Sequence, residues 1–478
     1  MRKIVGTALA CLVVASVLAP SSAQARYYYS PYGFFDVRGA IEAEWWRQGG
    51  PRGLIGNPLT NEIPTRPKVG AFNHFMGGAS IYWSPATGAH DVRGAIRDRW
   101  ASLGWENGHL GFPVTGEGVI GNPYDWKRYS HFQGGSIFYS PATGAWEVRG
   151  AIRERFASLG WEAGLLGFPV TNENGTPNGR GRYNHFQGGS VYWSPATGAQ
   201  EVHGAIRATW ASLGWEAGPL GFPVTSETRT PDGAGRFNHF QGGSIYWSPA
   251  TGAHEVRGAI RAAWASLGSE DSLLGYPVSD EYAVPGGRRS DFEYGSLVWN
   301  PVDGVSIDAE VTGSGDARIP ILPGLFAVGL EAVGSGATAV ETAKAGWWGP
   351  NPITDGTGSW TRTALVNLGG QRATELVVTT DGDWTIDLLP VSALPMIGPD
   401  EVVSGSEGAV LHYTGPPGQL LFEATDANAH VRIFTRGGVY VDTLWAGVGS
   451  PAYWPVGEDV LLEVRQADVP WTVVVDPY

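Results

Sequence analysis

Apolar and polar positions along this chain follow a scheme that returns every fifty-odd residues. It is clearest from residue 202 onward. Ile206, Trp210 and Leu213 fall at i, i+4 and i+7, one face of a short helix, and Gly214 follows as a left-handed stop. Leu220-Gly221-Phe222-Pro223 then sets two bulky apolar groups around a glycine and ends in a rigid proline. The stretch from Thr228 to Gly235 is rich in Pro, Gly and polar residues and reads as an exposed loop. Phe237 to Gly243 leads into a strand, Ser244-Ile245-Tyr246-Trp247-Ser248. Pro249-Ala250-Thr251-Gly252 supplies a turn, with Pro second and Gly last, and Ala253-His254-Glu255-Val256 returns as the partner strand. One unit is therefore a short helix plus a β-hairpin, joined by a long loop.

The marker of the unit recurs as Leu110-Gly111-Phe112-Pro113, Leu166-Gly167-Phe168-Pro169, Leu220-Gly221-Phe222-Pro223 and Leu274-Gly275-Tyr276-Pro277, with a degraded first copy at Ile55-Gly56-Asn57-Pro58. A fixed period of this kind means a repeat architecture whose neighbours share a core. The expected fold class is an α+β repeat module of five units over residues 26–307. Tyr28-Tyr29-Ser30-Pro31-Tyr32-Gly33 and Leu297-Val298-Trp299-Asn300-Pro301 place hairpin elements at both ends. They leave two outcomes open, a closed pseudo-five-fold ring or a capped open array, and the ring is the expectation.

After Ile307 the pattern changes. Thr312-Gly313-Ser314-Gly315 makes residues 308–312 and their surroundings read as a linker. Beyond it, β-type runs at Leu325–Leu330, Leu376–Thr380, Trp384–Leu389, Val431–Phe434 and Val460–Val464 are punctuated by Gly, Pro and Asp. Trp384-Thr385-Ile386-Asp387 matches Trp471-Thr472-Val473-Val474, and Pro323-Gly324-Leu325-Phe326 matches the run from Pro417 to Phe422. Two tandem all-β, sandwich-like modules are expected, at 313–392 and 400–478.

Charge and the N-terminus narrow the function classes. Arg2 and Lys3, an apolar run from Ile4 to Leu18 and Ala23-Gln24-Ala25 read as an export signal, residues 1–25. The run is short for a membrane span, so no transmembrane anchor is expected. The one cysteine, Cys11, lies in that segment, and a lipoprotein reading would cut inside the apolar run. Residues 26–307 carry 23 Arg plus Lys against 25 Asp plus Glu, a net of −2, while residues 308–478 carry 7 against 21, a net of −14. No basic patch is present, so nucleic acid is not an expected partner.

The whole repeated unit, with L-G-F-P followed by F-x-x-G-x-I-Y-W-S-P-x-T-G-A, resembles the LGFP repeat family of actinobacterial envelope proteins. Its arrays are appended to mycoloyltransferases, amidases and other wall enzymes. The resemblance covers residues 27–307. It implies a compact five-unit module with rotational pseudo-symmetry, and a secreted, cell-wall-associated protein that binds envelope polysaccharide of the peptidoglycan–arabinogalactan layer. No recognisable enzyme domain accompanies the array here.

Candidate chemistry recurs once per unit. Glu62, Glu117, Glu173, Glu227 and Glu281 follow the marker, and His74, His131, His185 and His239 precede a Phe, with Asp291 in that place in the last copy. They are glycan-binding candidates through hydrogen bonds to hydroxyls; the structural alternative is local satisfaction of turns and loops. Trp105, Trp161 and Trp215 sit in a turn and are candidate stacking platforms for sugars, or else lids over a helix end. Gly50 and Ser269 replace them in the end units, which are expected to bind least well. On the strand, Trp83, Tyr139, Trp193, Trp247 and Trp299 alternate with Tyr82, Phe138, Tyr192, Tyr246 and Val298, so one set faces out.

No nucleophile elbow or zinc motif occurs, and no catalytic residue, cofactor or metal is expected. Asp381, Asp383 and Asp387 read as a solvated turn rather than a calcium site. The expected function is non-catalytic wall binding, with a second envelope protein as a possible partner of the acidic tail. The alternatives are an adhesin scaffold and a wall-acting glycoside hydrolase using paired carboxylates.

Overall fold

Each of the five helices begins on a glycine in a left-handed conformation that other residues rarely adopt. In the computed structural model they span Gly39–Arg47, Gly94–Ser102, Gly150–Ser158, Gly204–Ser212 and Gly258–Leu267. Their first residues hold φ between +50° and +54°, turning an incoming strand straight into a helix. Residues 26–478 are described, apart from 68, 303, 323, 325, 335, 344–350, 369–371, 427, 447–451 and 466–468. The expected export signal, with Cys11, lies outside the described residues, as do Pro323 and Leu325 of the expected strand match. The helix face is the one read from the spacing: Ile96 and Trp100, Ile206 and Trp210, and Ile260 and Trp264 are all buried.

The β part of a unit is larger than a hairpin. In the second unit Gly118–Val119, Arg128–Phe132, Gly135–Ser140 and Gly144–Arg149 form an antiparallel meander in chain order. The segment expected as an exposed loop contributes the outermost strand. Thr228 pairs with Phe237, and the tip is closed by Gly233 N donating to Thr230 O (2.9 Å) and Thr230 N donating to Gly235 O (3.1 Å). The His-bearing segment is likewise a strand, because Phe237 stacks across the sheet on Tyr246 with centroids 5.2 Å apart.

Leu-Gly-Phe-Pro is the joint between units. Gly111, Gly167, Gly221 and Gly275 hold φ from +65° to +69°, and a Cβ at Gly111 would meet Gln133 Oε1 at 2.6 Å. That oxygen accepts the Phe112 amide (3.0 Å), while Trp100 Nε1 donates to Gly111 O (3.2 Å). The Phe112 ring reaches back to Gly70 of the preceding unit, where a Cβ would stand 2.8 Å from it; Phe222 against Gly181 and Tyr276 against Gly235 repeat the contact. The helix, the marker and the neighbouring loop are thereby locked together.

The tail departs from expectation at its start. Residues 308–312 are not a linker: Gly304–Ser314 is one strand of 11 residues. Its first half pairs with Gly295–Asn300 of the last unit, and its second half pairs with Asp383–Leu389. The glycine that suggested a linker makes room for an indole: a Cβ at Gly313 would lie 2.3 Å from the Trp384 ring. The last unit and the first tail module therefore share a seven-stranded sheet and one buried cluster running from Tyr246 to Leu388.

Both tail modules are β throughout and have the same topology. Counting strands within each, one sheet runs first–eighth–third–sixth and the other second–seventh–fourth–fifth, the strand order of a jelly roll. The second module adds a short parallel strand, Met396–Ile397, at one edge. The Trp384 and Trp471 strands are the eighth in each, and each indole is buried over a glycine, Gly313 or Gly405, while donating to a nearby carbonyl, Gly315 O (3.0 Å) or Glu407 O (2.8 Å). Glu463, fully buried, joins the modules by accepting the Leu365 amide (3.0 Å).

The ring expected from the end hairpins is not closed by strand pairing. Arg26–Ser30 pairs with Gly33–Val37 alone, and Gly295–Asn300 is occupied on both sides by Gly287–Phe292 and Gly304–Ser314. Among the described residues no sheet is closed.

Candidate functional site

The recurrent residues separate into two clusters. The first gathers His, Ser, Arg and the turn Trp. His74 Nδ1 lies 2.7 Å from Ser80 Oγ, Arg97 Nε donates to the same Oγ (2.7 Å), and the Arg97 guanidinium sits 5.1 Å from the Trp105 ring centroid. His131, Ser136, Arg153 and Trp161 repeat this arrangement. His185 lies 2.7 Å from Ser190, His239 lies 2.7 Å from Ser244, and Arg207 covers Trp215 at 5.0 Å. The His main-chain amides donate to Thr60, Thr115, Thr171 and Thr225. Burial, then the neighbouring arginine, pushes His74, His131 and His239 below the usual histidine range. Asp291, in the histidine's place, accepts from Arg289 (2.6 Å) and Tyr282 (2.9 Å).

The turn tryptophans are half-buried lids over the helix end. Trp105 stacks on Tyr82 with centroids 6.1 Å apart and meets Trp100 edge-on at 5.3 Å, and the arginine occupies ring surface that a sugar would need. Trp105, Trp161 and Trp215 all hold φ near +57°, a left-handed backbone costly for a bulky residue. Gly50 takes that conformation freely in the first unit, where the Trp46 ring fills the space instead: a Cβ on Gly50 would meet it at 2.7 Å. The lid is replaced there rather than lost.

The second cluster gathers the glutamates with arginines and the strand aromatic. Glu117 Oε1 lies 3.0 Å from Arg93 Nε and 3.6 Å from Arg128 Nε. Glu173 pairs with Arg149 (3.4 Å) and Arg182, and Glu281 with Arg257 (3.3 Å) and Arg288. Glu62 neighbours Asp36 and Arg38, its amide donating to Asp36 Oδ1 (3.3 Å). Behind each stands a second buried acid: Asp91, Glu147, Glu201 and Glu255. Burial outweighs Arg257 and raises the Glu255 carboxyl to about 7.

Two of these clusters open onto cavities. A cavity of about 340 Å³ is lined by Arg257, the helix start Gly258-Ala259-Ile260, Glu281, Arg288 and Trp299. Its counterpart one unit earlier measures about 170 Å³ and is lined by His203, Gly204, Ala205, Ile206, Glu227, Arg236 and Trp247. There His203 Nδ1 lies 3.2 Å from Glu227 Oε2 and Arg236 Nε 3.6 Å from Glu227 Oε1, and burial raises the Glu227 carboxyl to about 7. Trp247 and Trp299 are half-buried, whereas Tyr246 is buried, so the strand alternation places the tryptophans on the cleft side. The arginines were absent from the candidates read from sequence. Their signal was Arg38, Arg93, Arg149, His203 and Arg257, each directly before a helix-opening glycine.

A larger cleft of about 940 Å³ is lined by Asn178, Arg180, Ser194, Glu216 and Gln241, among others. Glu216 is buried, with Oε1 lacking a hydrogen-bond partner, and burial raises its carboxyl. Among the described residues no group of three or more His, Cys, Asp or Glu is placed to hold a metal ion, and no helix is long and apolar enough to cross a membrane.

The LGFP repeat model matches residues 55–108, 110–164, 166–218, 220–272 and 274–314, more than half of the chain. The protein belongs to the LGFP repeat family. LGFP repeats are typical of cell-envelope-associated proteins. No curated protein matches this LGFP-repeat protein. Among solved structures it is similar to cAMP-bound PfPKA-R (141–441), at 10% identity and a TM-score of 0.13 over 35% of this chain and 70% of that one. It is also similar to a Lactobacillus farciminis oxalate decarboxylase formate complex (8%, TM-score 0.12, 41% and 83%) and to pumpkin seed globulin (10%, TM-score 0.11, 40% and 83%). Likenesses at this level carry no functional argument.

Proposed function

We propose that this LGFP-repeat protein is an exported, non-catalytic, cell-wall-associated protein whose array binds envelope polysaccharide. The observation that carries the reading is the recurring cleft with an aromatic wall and polar partners at Trp247 and Trp299. A half-buried indole beside hydrogen-bonding side chains suits a pyranose ring, which has an apolar face and a polar rim. Weak sites repeated along one chain add when a glycan reaches several at once. A hydrolytic reading is disfavoured by the sameness of the glutamates: Glu117, Glu173 and Glu281 each face two arginines in the same arrangement, so no acid and differently tuned nucleophile are set apart.

The acidic tail completes the proposal as a display element facing a second envelope protein. The two sheets of each tail module pack face to face as a sandwich, supported in the second module by one buried cluster that draws on both sheets, Leu411 and Leu462 from one and Leu420 and Val473 from the other. The test is cosedimentation of the full mature chain with purified actinobacterial walls. Pelleting that is competed by soluble wall polysaccharide is expected; a chain that stays in the supernatant at every salt concentration sinks the reading.

A further inference from the structure

The two cavities differ at one decisive position. Around Trp299, Arg257 Nε lies 3.3 Å from Glu281 Oε1 and 3.3 Å from Glu255 Oε1, and Arg288 binds the same Glu281. Two guanidinium groups thus face Glu281, and Arg257 also reaches Glu255, which is buried behind it. Asp280, the next acid along the chain, turns away to the Glu255 amide (2.9 Å) and His254 (3.5 Å). The helix that opens the cavity wall, Gly258–Leu267, has no acidic residue in its first turn and no side-chain cap, so its free amides add partial positive charge. Around Trp247 the same helix start and tryptophan are present, but His203 stands where Arg257 would be.

Size separates the cavities too. About 340 Å³ falls within the roughly 300–1,000 Å³ typical of small-molecule sites, and about 170 Å³ falls below it.

We infer that the Trp299 cleft is a subsite for an anionic sugar residue, whose ring stacks on Trp299 and whose carboxylate or phosphate is held by Arg257 and Arg288. This rests on the glycan-binding reading above and sharpens it: the array is not a set of equal sites. The Trp247 cleft keeps one guanidinium, Arg236, but has a histidine in place of the second, and takes no acidic residue. Burial keeps His203 below the usual histidine range, so it stays neutral where Arg257 is charged.

Titration calorimetry on the full mature chain tests the assignment, with three probes: an oligogalacturonide, a neutral galactose oligosaccharide of equal length, and mannose 6-phosphate. At least one anionic probe is expected to bind about tenfold tighter than the neutral one, a preference that added salt weakens. Binding of the galacturonide alone identifies a carboxylate, and binding of the phosphate alone identifies a phosphate; both support the subsite. Arg257→His is expected to abolish the preference while leaving the melting transition in place, since the neighbouring unit carries histidine there naturally. Trp299→Ala is expected to weaken both classes of probe, and His203→Arg to strengthen anion binding by a second site. Equal affinity for all three probes, or an Arg257→His chain that still prefers the anion, overturns the inference. Wall cosedimentation run beside it separates the two levels: walls bound without anion preference sinks only the subsite, whereas no wall binding sinks the function.

Discussion

The array and the tail solve the burial problem in opposite ways. The second unit's cluster holds nine buried apolar residues, whereas the second tail module gathers seventeen. The tail modules are conventional cores of alternating strands. Four returning strands of the array instead bury an acid, Asp91, Glu147, Glu201 or Glu255, and in three of them the arginine that ends the same strand stands 3.3–3.9 Å from it. Buried ion pairs add little net stability, because desolvation offsets much of their attraction. A region that keeps them at three of its unit boundaries, while relying on neighbours for its core, is organised around what it presents between units. The tail invests its sequence in packing.

Cutting the chain after Ile307 is the harshest way to break this contrast. It severs the strand Gly304–Ser314 partway and removes 17 of the 27 buried residues in the cluster that buries Trp264 and Leu274. The truncated fragment is expected to lose the last unit's cooperative unfolding, read as an early transition in calorimetry that the full chain lacks.

Next in size, Phe112→Ala removes the ring that fills the Gly70 contact. It should destabilise by about 3–5 kcal/mol in urea unfolding, as for a buried phenylalanine. A loss below about 1 kcal/mol would mean that the units do not depend on one another.

The buried acids set a pH signature. Glu255, raised to about 7 from an ordinary value near 4.5, binds its proton more tightly folded than unfolded. Its contribution is therefore fully present below about 4.5 and is lost as pH rises toward 7, by roughly 3 kcal/mol at most. Glu255→Gln should flatten the stability profile across that window; an unchanged slope would remove Glu255 as its source. The lowered histidines act in the opposite sense near pH 6, so the comparison with the substituted chain is what isolates the carboxyl.

The smallest effect tests the tail. Gly405→Ala forces a methyl against Trp471, where a Cβ would stand 2.5 Å from the ring, and should cost about 1–3 kcal/mol. Gly313→Ala should cost a similar amount if the modules are duplicates; a twofold disparity in their denaturation midpoints would break the equivalence.

Much of this was readable in advance, and the failures share a cause. The helix faces, the marker glycines and the paired Trp384 and Trp471 strands follow from local periodicity, so Ile206, Trp210 and Leu220 fell into place. The strand through Thr312-Gly313-Ser314 did not, because a glycine kept for an indole 71 residues away looks the same as one kept for flexibility. The cleft was half legible. Glu281 and Trp299 were visible as recurring residues, but Arg257 belongs to the preceding unit's returning strand, and only the fold brings it beside them. The turn tryptophans were visible as aromatic, while the arginine over each ring was not.

The shared strand has a mechanical consequence. A pull on the first tail module does not swing a hinge; it loads an unbroken ladder along Gly304–Ser314 in shear, and the last repeat feels both the tension and the twist. Direction is transmitted along with force. One residue inserted near Asp308 would reverse which face of the strand meets each core, so the join behaves as a keyed coupling rather than a tether.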